Sequence, residues 1–282
     1  MPVPQGTDAV IAIAYDEDLG EHGDITSRSV IDPDQIATAH VVARERGCVS
    51  GIDVARACFA YIDGSTRFTQ HHKDGNIVDP GTVLLSVSGA TISLLTAERV
   101  ALNLLGRMSG IATATRSFVD AIEGTETRIT DTRKTTPGLR ALEKYAVASG
   151  GGVNHRFGLH DAVLIKDNHI AAAGSISDAV AAARAAVGSD IMLEVEVDTL
   201  AQLAEVLTTD ADRVLLDNMS VAELSTAVAE VDGSIVTEAS GGITLDTVRS
   251  VAETGVDIIS VGWLTHSAPA LDVALDIEDH RS

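Results

Sequence analysis

The chain is short of cysteine, of long apolar runs and of positive charge, and each shortage removes a class of protein. Two cysteines, Cys48 and Cys58, supply neither a disulfide framework nor a CxxC spacing. A reducing, cytoplasmic compartment is therefore expected. The opening MPVPQGTDAV carries no basic run, and AVIAIAY is too short for a signal core or a membrane span, so no membrane association is expected. Only 20 Lys and Arg face 41 Asp and Glu, a formal net charge of −21. Nucleic acids and anionic membrane surfaces demand a basic face, which sets both aside as partners. No low-complexity run or flexible linker interrupts the 282 residues. Their 45% apolar and 22% charged composition is that of a globular chain. A surface rich in acid and poor in lysine suggests a high-salt habitat, where screening weakens self-repulsion. Unfolding at low salt would support that hypothesis, and full stability in dilute buffer would remove it.

The positive charge that remains is gathered in one place. Residues 128–169 hold seven Arg or Lys (128, 133, 134, 140, 144, 156, 166) against four acids (131, 143, 161, 167), a net +3, which leaves −24 on the other 240 residues. Three of the chain's four lysines, Lys134, Lys144 and Lys166, lie in this window. The usual reason for such segregation is an anionic ligand.

Two textures divide the chain. Residues 1–110 begin with a helix, Asp8 to Leu19, and continue with strand-like runs such as ATAHVVARERG and TRFTQHH around the helical DVARACFAYID. HHKD, from His71 to Asp74, reads as an exposed turn. A long helical pattern, LLTAERVALNLLGRMSGIATATRSFVDAI, follows, with Gly106 and Gly110 placed for close helix packing. Residues 111–267 repeat one unit, a short apolar strand and then an Ala-rich helical stretch. The strands are RITDT, AVLIKDN, IMLEVEV, RVLLDN, SIVTEASGG and DIISVGW. Strands alternating with helices imply a parallel sheet with right-handed crossovers. The expected fold class is α/β: an N-terminal α/β domain and a short, open β/α barrel of six strands, with residues 268–282 packing back on the first domain.

Almost every barrel strand ends in polar residues, and in β/α barrels the strand C-termini share one mouth, where the active site lies. Arg133, His155, Arg156 and Lys166 follow or end consecutive strands and suit a small, multiply charged anion. Glu194 and Glu196 alternate onto one strand face and, with Asp217, place carboxylates at the mouth. Such carboxylates hold Mg²⁺ or stabilise a developing cation. EASGGIT sets Ser240, Gly241 and Gly242 before a helix expected near Thr244, an arrangement that receives phosphate. Gly262 and His266 of SVGWLTHS offer a second phosphate contact. His155, His160 and His169 match no compact zinc spacing.

The run DTRKTTPGLRALEKYAVASGGGVNHRFGLHDAVLIKDNHI, Asp131 to Ile170, resembles the quinolinate phosphoribosyltransferases. EDLGEHGDITS, ERVALNLLGRMSGIATATR, EVEVDTL, LLDNMS and EASGGI match the family in the same order, so the resemblance spans essentially the whole chain. It implies an N-terminal α/β sandwich, an open barrel, and a homo-oligomer, dimer or hexamer, with a shared active site. It implies transfer of phosphoribose from 5-phosphoribosyl 1-pyrophosphate to quinolinate, with Mg²⁺ and loss of CO₂, to give nicotinate mononucleotide for NAD biosynthesis. On that resemblance Arg133, His155, Arg156 and Lys166 grip quinolinate, with Arg99 from a neighbouring subunit. Lys134, Glu196, Asp217, Ser240, Gly241, Gly242, Gly262 and His266 face the phosphoribosyl pyrophosphate and its metal; Glu196, Asp217 and Lys134 are the catalytic candidates. Three other readings stand beside it: a related phosphoribosyltransferase acting on another acidic ring, a barrel lyase or aldolase using Lys166 as a Schiff-base amine, and a non-catalytic phosphate-binding module.

Overall fold

The computed structural model describes residues 3–278. The chain forms two compact units, one of Met1–Arg116, Thr135–Gly151 and Thr265–Ser282, the other of Ser117–Lys134 and Gly152–Leu264. These units are drawn differently from the boundary read in the sequence, because residues 135–151 cluster with the first unit although they lie between barrel strands.

The first unit opens with α1 (Thr7–Leu19) and α2 (Ile25–Val30), then β1 (Ile36–Ala43), β2 (Gly47–Cys48), α3 (Ile52–Ile62), β3 (Arg67–Gln70), β4 (Ile77–Val78), β5 (Val83–Ala90) and the long α4 (Thr91–Ala121), which belongs to it as far as Arg116. After β6 (Arg128–Thr130) of the second unit the chain returns as α5 (Arg140–Ser149). Ile11 and Tyr15, one turn apart on α1, pack with Val41, Phe59, Leu84, Leu94 and Leu105 into one core. The buried Tyr15 hydroxyl is satisfied by the carbonyls of Cys58 and Ala97, at 3.2 and 3.1 Å. HHKD is more than a turn: the Asp74 carboxylate accepts the N–H groups of Gly51 and Ile52 at the start of α3, at 2.9 and 3.1 Å, and the Tyr145 hydroxyl at 2.7 Å. Gly106 lies so close to the segment following the barrel that a Cβ there would meet the Leu271 carbonyl at 2.9 Å.

The second unit continues with β7 (Val163–Ile165), α6 (Asp167–Ala173), α7 (Ile176–Val187), β8 (Leu193–Val197), α8 (Leu200–Val206), β9 (Arg213–Asp217), α9 (Val221–Val231), β10 (Val236–Ser240), α10 (Val248–Ala252), β11 (Ile258–Ser260) and the start of α11 (Trp263–His266). All six strands are parallel, in the order β6-β11-β10-β9-β8-β7. That is chain order read round a ring, with β6 and β7 at the two free edges. It is the short, open barrel the repeat implies. Capping boxes, Thr199 with Gln202 and Ser220 with Glu223, start α8 and α9 directly after their strands.

A last strand, β12 (Val273–Ile277), pairs antiparallel with β1 and completes the first unit's sheet, β12-β1-β5-β3. No single helix among the described residues is long and apolar enough to cross a membrane.

Candidate active site

A cavity of about 410 Å³ opens in the second unit. Every barrel strand reaches it at or just beyond its C-terminal end. Thr132, Arg133 and Lys134 follow β6, and Lys166 follows β7. Glu196, Asp217, Ser240 and Ser260 lie at or next to the ends of β8 to β11. Parallel strands share one direction, so a polar residue placed last on each converges on one rim. Of the seven cations in the basic window, four line the cavity: Arg133, Lys134, Arg156 and Lys166. They meet three carboxylates, Glu196, Asp217 and Glu238. Arg128 starts β6, at the opposite end of the barrel, and Arg140 and Lys144 lie on α5 of the first unit.

The side chains differ in depth. Lys166 is partly exposed and its ammonium is bonded to the Glu196 carboxylate on the adjacent strand. Glu194 shares a strand face with Glu196, as alternation requires, yet it does not stand at the rim. Two residues back along a strand is roughly 6.6 Å deeper, and its side chain is wholly buried there. Glu238 on β10 is equally buried and lies 3.2 Å from Arg213 of β9. Above these two acids sits His155, with Nε2 at 3.0 Å from Glu194 and 3.5 Å from Glu238.

The loop carrying His155 and Arg156 is tied down by a residue the sequence reading passed over. Asp131, fully buried just after β6, accepts the His155 main-chain N–H at 2.9 Å and the Asn154 side-chain amide at 2.6 Å. The Arg156 N–H donates to His155 Nδ1 at 2.8 Å, and Arg156 Nη1 donates to the Ala162 carbonyl at 2.8 Å. Asp161 closes the next turn by accepting the N–H groups of Phe157 and Gly158.

These surroundings displace several ionisations. Burial, together with the Glu194 charge, pushes the Glu238 carboxyl up to about 7. For His155, burial disfavours the charged form, but Glu194 and Glu238 outweigh it and raise the imidazole above its ordinary value. The Arg156 N–H opposes them, because Nδ1 must keep its lone pair to accept it. Burial and the neighbouring Arg133 charge hold Arg156 below the usual guanidinium value.

His155, Glu194 and Glu238 are close enough together to enclose a cation. The hydrogen bond to Nδ1 speaks against a metal: it puts the ring proton on Nε2, the nitrogen facing the acids, and a protonated nitrogen has no lone pair to ligate. The oxygen donors suited to Mg²⁺ are Glu196 and Asp217, on adjacent strands at the rim.

Other expected residues take different places. Gly241 and Gly242 follow β10 with left-handed backbones, φ 98° and 60°, and a Cβ on Gly241 would press on the Asn218 amide. From Thr244 the chain turns into α10, which begins at Val248: Thr247 Oγ1 accepts the Thr244 N–H at 3.0 Å and the Thr244 carbonyl accepts the Val248 N–H at 2.9 Å. Gly262 follows β11; it and the two glycines lie outside the residues lining the cavity. Arg99, on α4, and His266 belong to the first unit. Arg99 is largely exposed and lies 3.7 Å from Glu98.

Comparison with known proteins agrees along the whole chain. Residues 24–109 match the N-terminal domain of quinolinate phosphoribosyl transferase and residues 111–276 its C-terminal domain. The chain is 46% identical over 269 residues to the nicotinate-nucleotide pyrophosphorylase [carboxylating] of Mycobacterium leprae, covering 94% of each. It is 45% identical over 261 residues to the probable nicotinate-nucleotide pyrophosphorylase [carboxylating] of Bacillus subtilis, covering 93% of this chain and 90% of the relative. The crystal structure of nicotinate-nucleotide pyrophosphorylase from Ehrlichia chaffeensis superposes with a TM-score of 0.93 at 42% identity, covering 99% of this chain and all of the other.

Proposed function

The chain belongs to the quinolinate phosphoribosyltransferase family, and we propose that its barrel cavity joins quinolinate to 5-phosphoribosyl 1-pyrophosphate. The products are nicotinate mononucleotide, pyrophosphate and CO₂. The observation that carries this reading is the convergence of Arg133, Lys134, Arg156 and Lys166 with Glu196 and Asp217 on one rim. A dicarboxylate and a polyphosphate need the cations, and a ribosyl centre that gains positive charge needs the acids.

In this reading Arg133, Arg156 and Lys166 hold the two carboxylates, with Arg99 supplied by a neighbouring subunit of a dimer; His155, which the resemblance counts among them, lines the cavity with its ring turned to Glu194 and Glu238. Lys134 and Ser240 face the phosphoribosyl pyrophosphate. Gly241, Gly242, Gly262 and His266 are kept on that side by the resemblance alone. Glu196 and Asp217 offer a donor set that fits Mg²⁺, which takes one or two carboxylates and completes its shell with water and phosphate oxygens. When bound, the ion neutralises charge on the departing pyrophosphate. Glu196 and Asp217 also stabilise the cation-like ribose carbon as its bond to pyrophosphate breaks and the ring nitrogen bonds to it. Alkylation leaves a pyridinium. The bond to the adjacent carboxylate then breaks to release CO₂, and the electron pair left on the ring, stabilised by that pyridinium, takes a proton. No covalent enzyme intermediate is needed. A Schiff base on Lys166 is disfavoured, because an ammonium paired with Glu196 is a poor nucleophile. The two cysteines, both free and buried, fit a cytoplasmic setting.

The test is incubation with quinolinate, phosphoribosyl pyrophosphate and Mg²⁺. Nicotinate mononucleotide formed only when all three are present supports the reading; binding of the pyrophosphate without turnover would leave a non-catalytic module.

A further inference from the structure

His155 uses both ring nitrogens within the protein. Nδ1 accepts the Arg156 N–H at 2.8 Å, and Nε2 faces Glu194 at 3.0 Å and Glu238 at 3.5 Å. Its side chain borders the cavity but is only 6% exposed, and Asp131 holds its main-chain N–H. A nitrogen that accepts an N–H carries no proton, so the ring proton belongs on Nε2. We propose that His155 is a neutral strut fixed as the Nε2–H tautomer, and that Glu194 and Glu238 are positioning residues that act through it to aim Arg156 at a substrate carboxylate. This deepens the quinolinate reading and rests on it for the identity of the substrate.

Two observations favour the strut over a cationic His155 that grips the substrate. The first is directional. An imidazolium would turn a second N–H against the Arg156 N–H, donor against donor, in a loop already fixed by Asp131 and by the bond from Arg156 to Ala162. The second is the burial of the acids. Glu194 and Glu238 have no exposure, and both oxygens of Glu194 and one of Glu238 lack a well-angled hydrogen bond. Buried carboxylates on barrel strands are costly unless they hold something in place. What lies against them is the imidazole on one side and Arg213 on the other. Glu238 attracts a proton to His155 only while it is itself ionised, and burial beside Glu194 pushes that carboxyl up to about 7. The line of contacts then runs from Glu194 to the imidazole, to the Arg156 main chain and out to its guanidinium. Positive charge toward quinolinate comes from Arg133, Arg156 and Lys166.

Two measurements test this. Nitrogen NMR of the histidine-labelled, ligand-free enzyme at pH 7 should show one protonated and one unprotonated ring nitrogen for His155, unchanged when quinolinate is added. The signal is assigned by its loss in His155→Gln, or by its shift in Glu194→Gln should that variant not fold. Two protonated nitrogens would overturn the proposal. Kinetically, Glu194→Leu should raise the KM for quinolinate by about tenfold or more, since misplacing a binding group by a fraction of an ångström has effects of that order. The KM for phosphoribosyl pyrophosphate should stay near wild type, and Glu194→Gln should recover most of the loss. An equal rise in both KM values, or a loss that follows melting temperature with no recovery in Glu194→Gln, would make the acid merely structural. The tautomer is read without turnover, so failure of the wild-type enzyme to use quinolinate would strike the functional reading and leave the His155 result to be judged alone.

Discussion

Lys166 and Glu196 are bonded to each other across neighbouring strands: the ammonium just after β7 donates to the carboxylate near the end of β8. One is assigned to quinolinate and the other to the ribose and its metal, so the substrates compete with this pair for both groups. Glu196→Gln should therefore separate binding from chemistry. The amide no longer holds the ammonium by charge, and quinolinate should bind at least as tightly as to wild type by calorimetry. The maximal rate should fall about a hundredfold, the scale of losing one preorganised electrostatic contact. Weakened quinolinate binding with an unchanged rate would reverse the two roles.

Arg133→Ala and Lys166→Ala should each raise the quinolinate KM by roughly ten- to 150-fold, the equivalent of a charge-assisted contact of about 1.5–3 kcal/mol. Both side chains lie at the rim, so thermal unfolding should stay close to wild type. A melting temperature lowered enough to account for the lost activity would mark them as structural.

Much of this was legible in the sequence, and what was missed has a physical cause. The six barrel strands appeared because each is a short apolar run between Ala-rich helices. The rim residues appeared because polar groups recur where those runs end. Depth along a strand was not legible: alternation puts Glu194 and Glu196 on one face, and only the folded barrel shows that Glu194 is wholly buried while Glu196 meets Lys166. Asp131 went unnoticed as an anchor because its partners, Asn154 and His155, lie more than twenty residues away. β12 was seen only as a segment folding back, since its pairing with β1 joins the two ends of the chain. α10 itself begins one turn beyond Thr244, because the side chain of Thr247 closes a turn at Thr244 first.

Glu238 should make stability depend on pH. Its carboxyl moves from an ordinary 4.5 to about 7 in the folded protein, from burial and the Glu194 charge, against the pull of Ser260 and Arg213. Between those values the folded state binds more protons than the unfolded state, so this group's contribution falls as pH rises and is lost above about 7. Relative to wild type, Glu238→Gln should gain about 3 kcal/mol of unfolding free energy between pH 4.5 and pH 8. Denaturant titrations at the two pH values measure it, and parallel curves would show that Glu238 ionises normally.

The shared site can be tested by complementation. Arg99→Ala and Glu196→Ala should each be nearly inactive alone. Co-expressed, they should recover activity, because in a closed dimer one site combines an intact barrel with an intact Arg99 from its partner. Heterodimers that form and stay inactive would show that Arg99 serves its own barrel or none.

Release of CO₂ from labelled quinolinate probes the chemistry most directly. With the label in the carboxylate next to the ring nitrogen, and with phosphoribosyl pyrophosphate and Mg²⁺ present, each nicotinate mononucleotide formed should be matched by one labelled CO₂. Nicotinate, which lacks that carboxylate, should be a poor substrate, because a cavity with four cationic side chains is left partly unpaired by a monoanion. Comparable turnover of nicotinate, or nucleotide formed with the label retained, would contradict the assignment of this site to quinolinate.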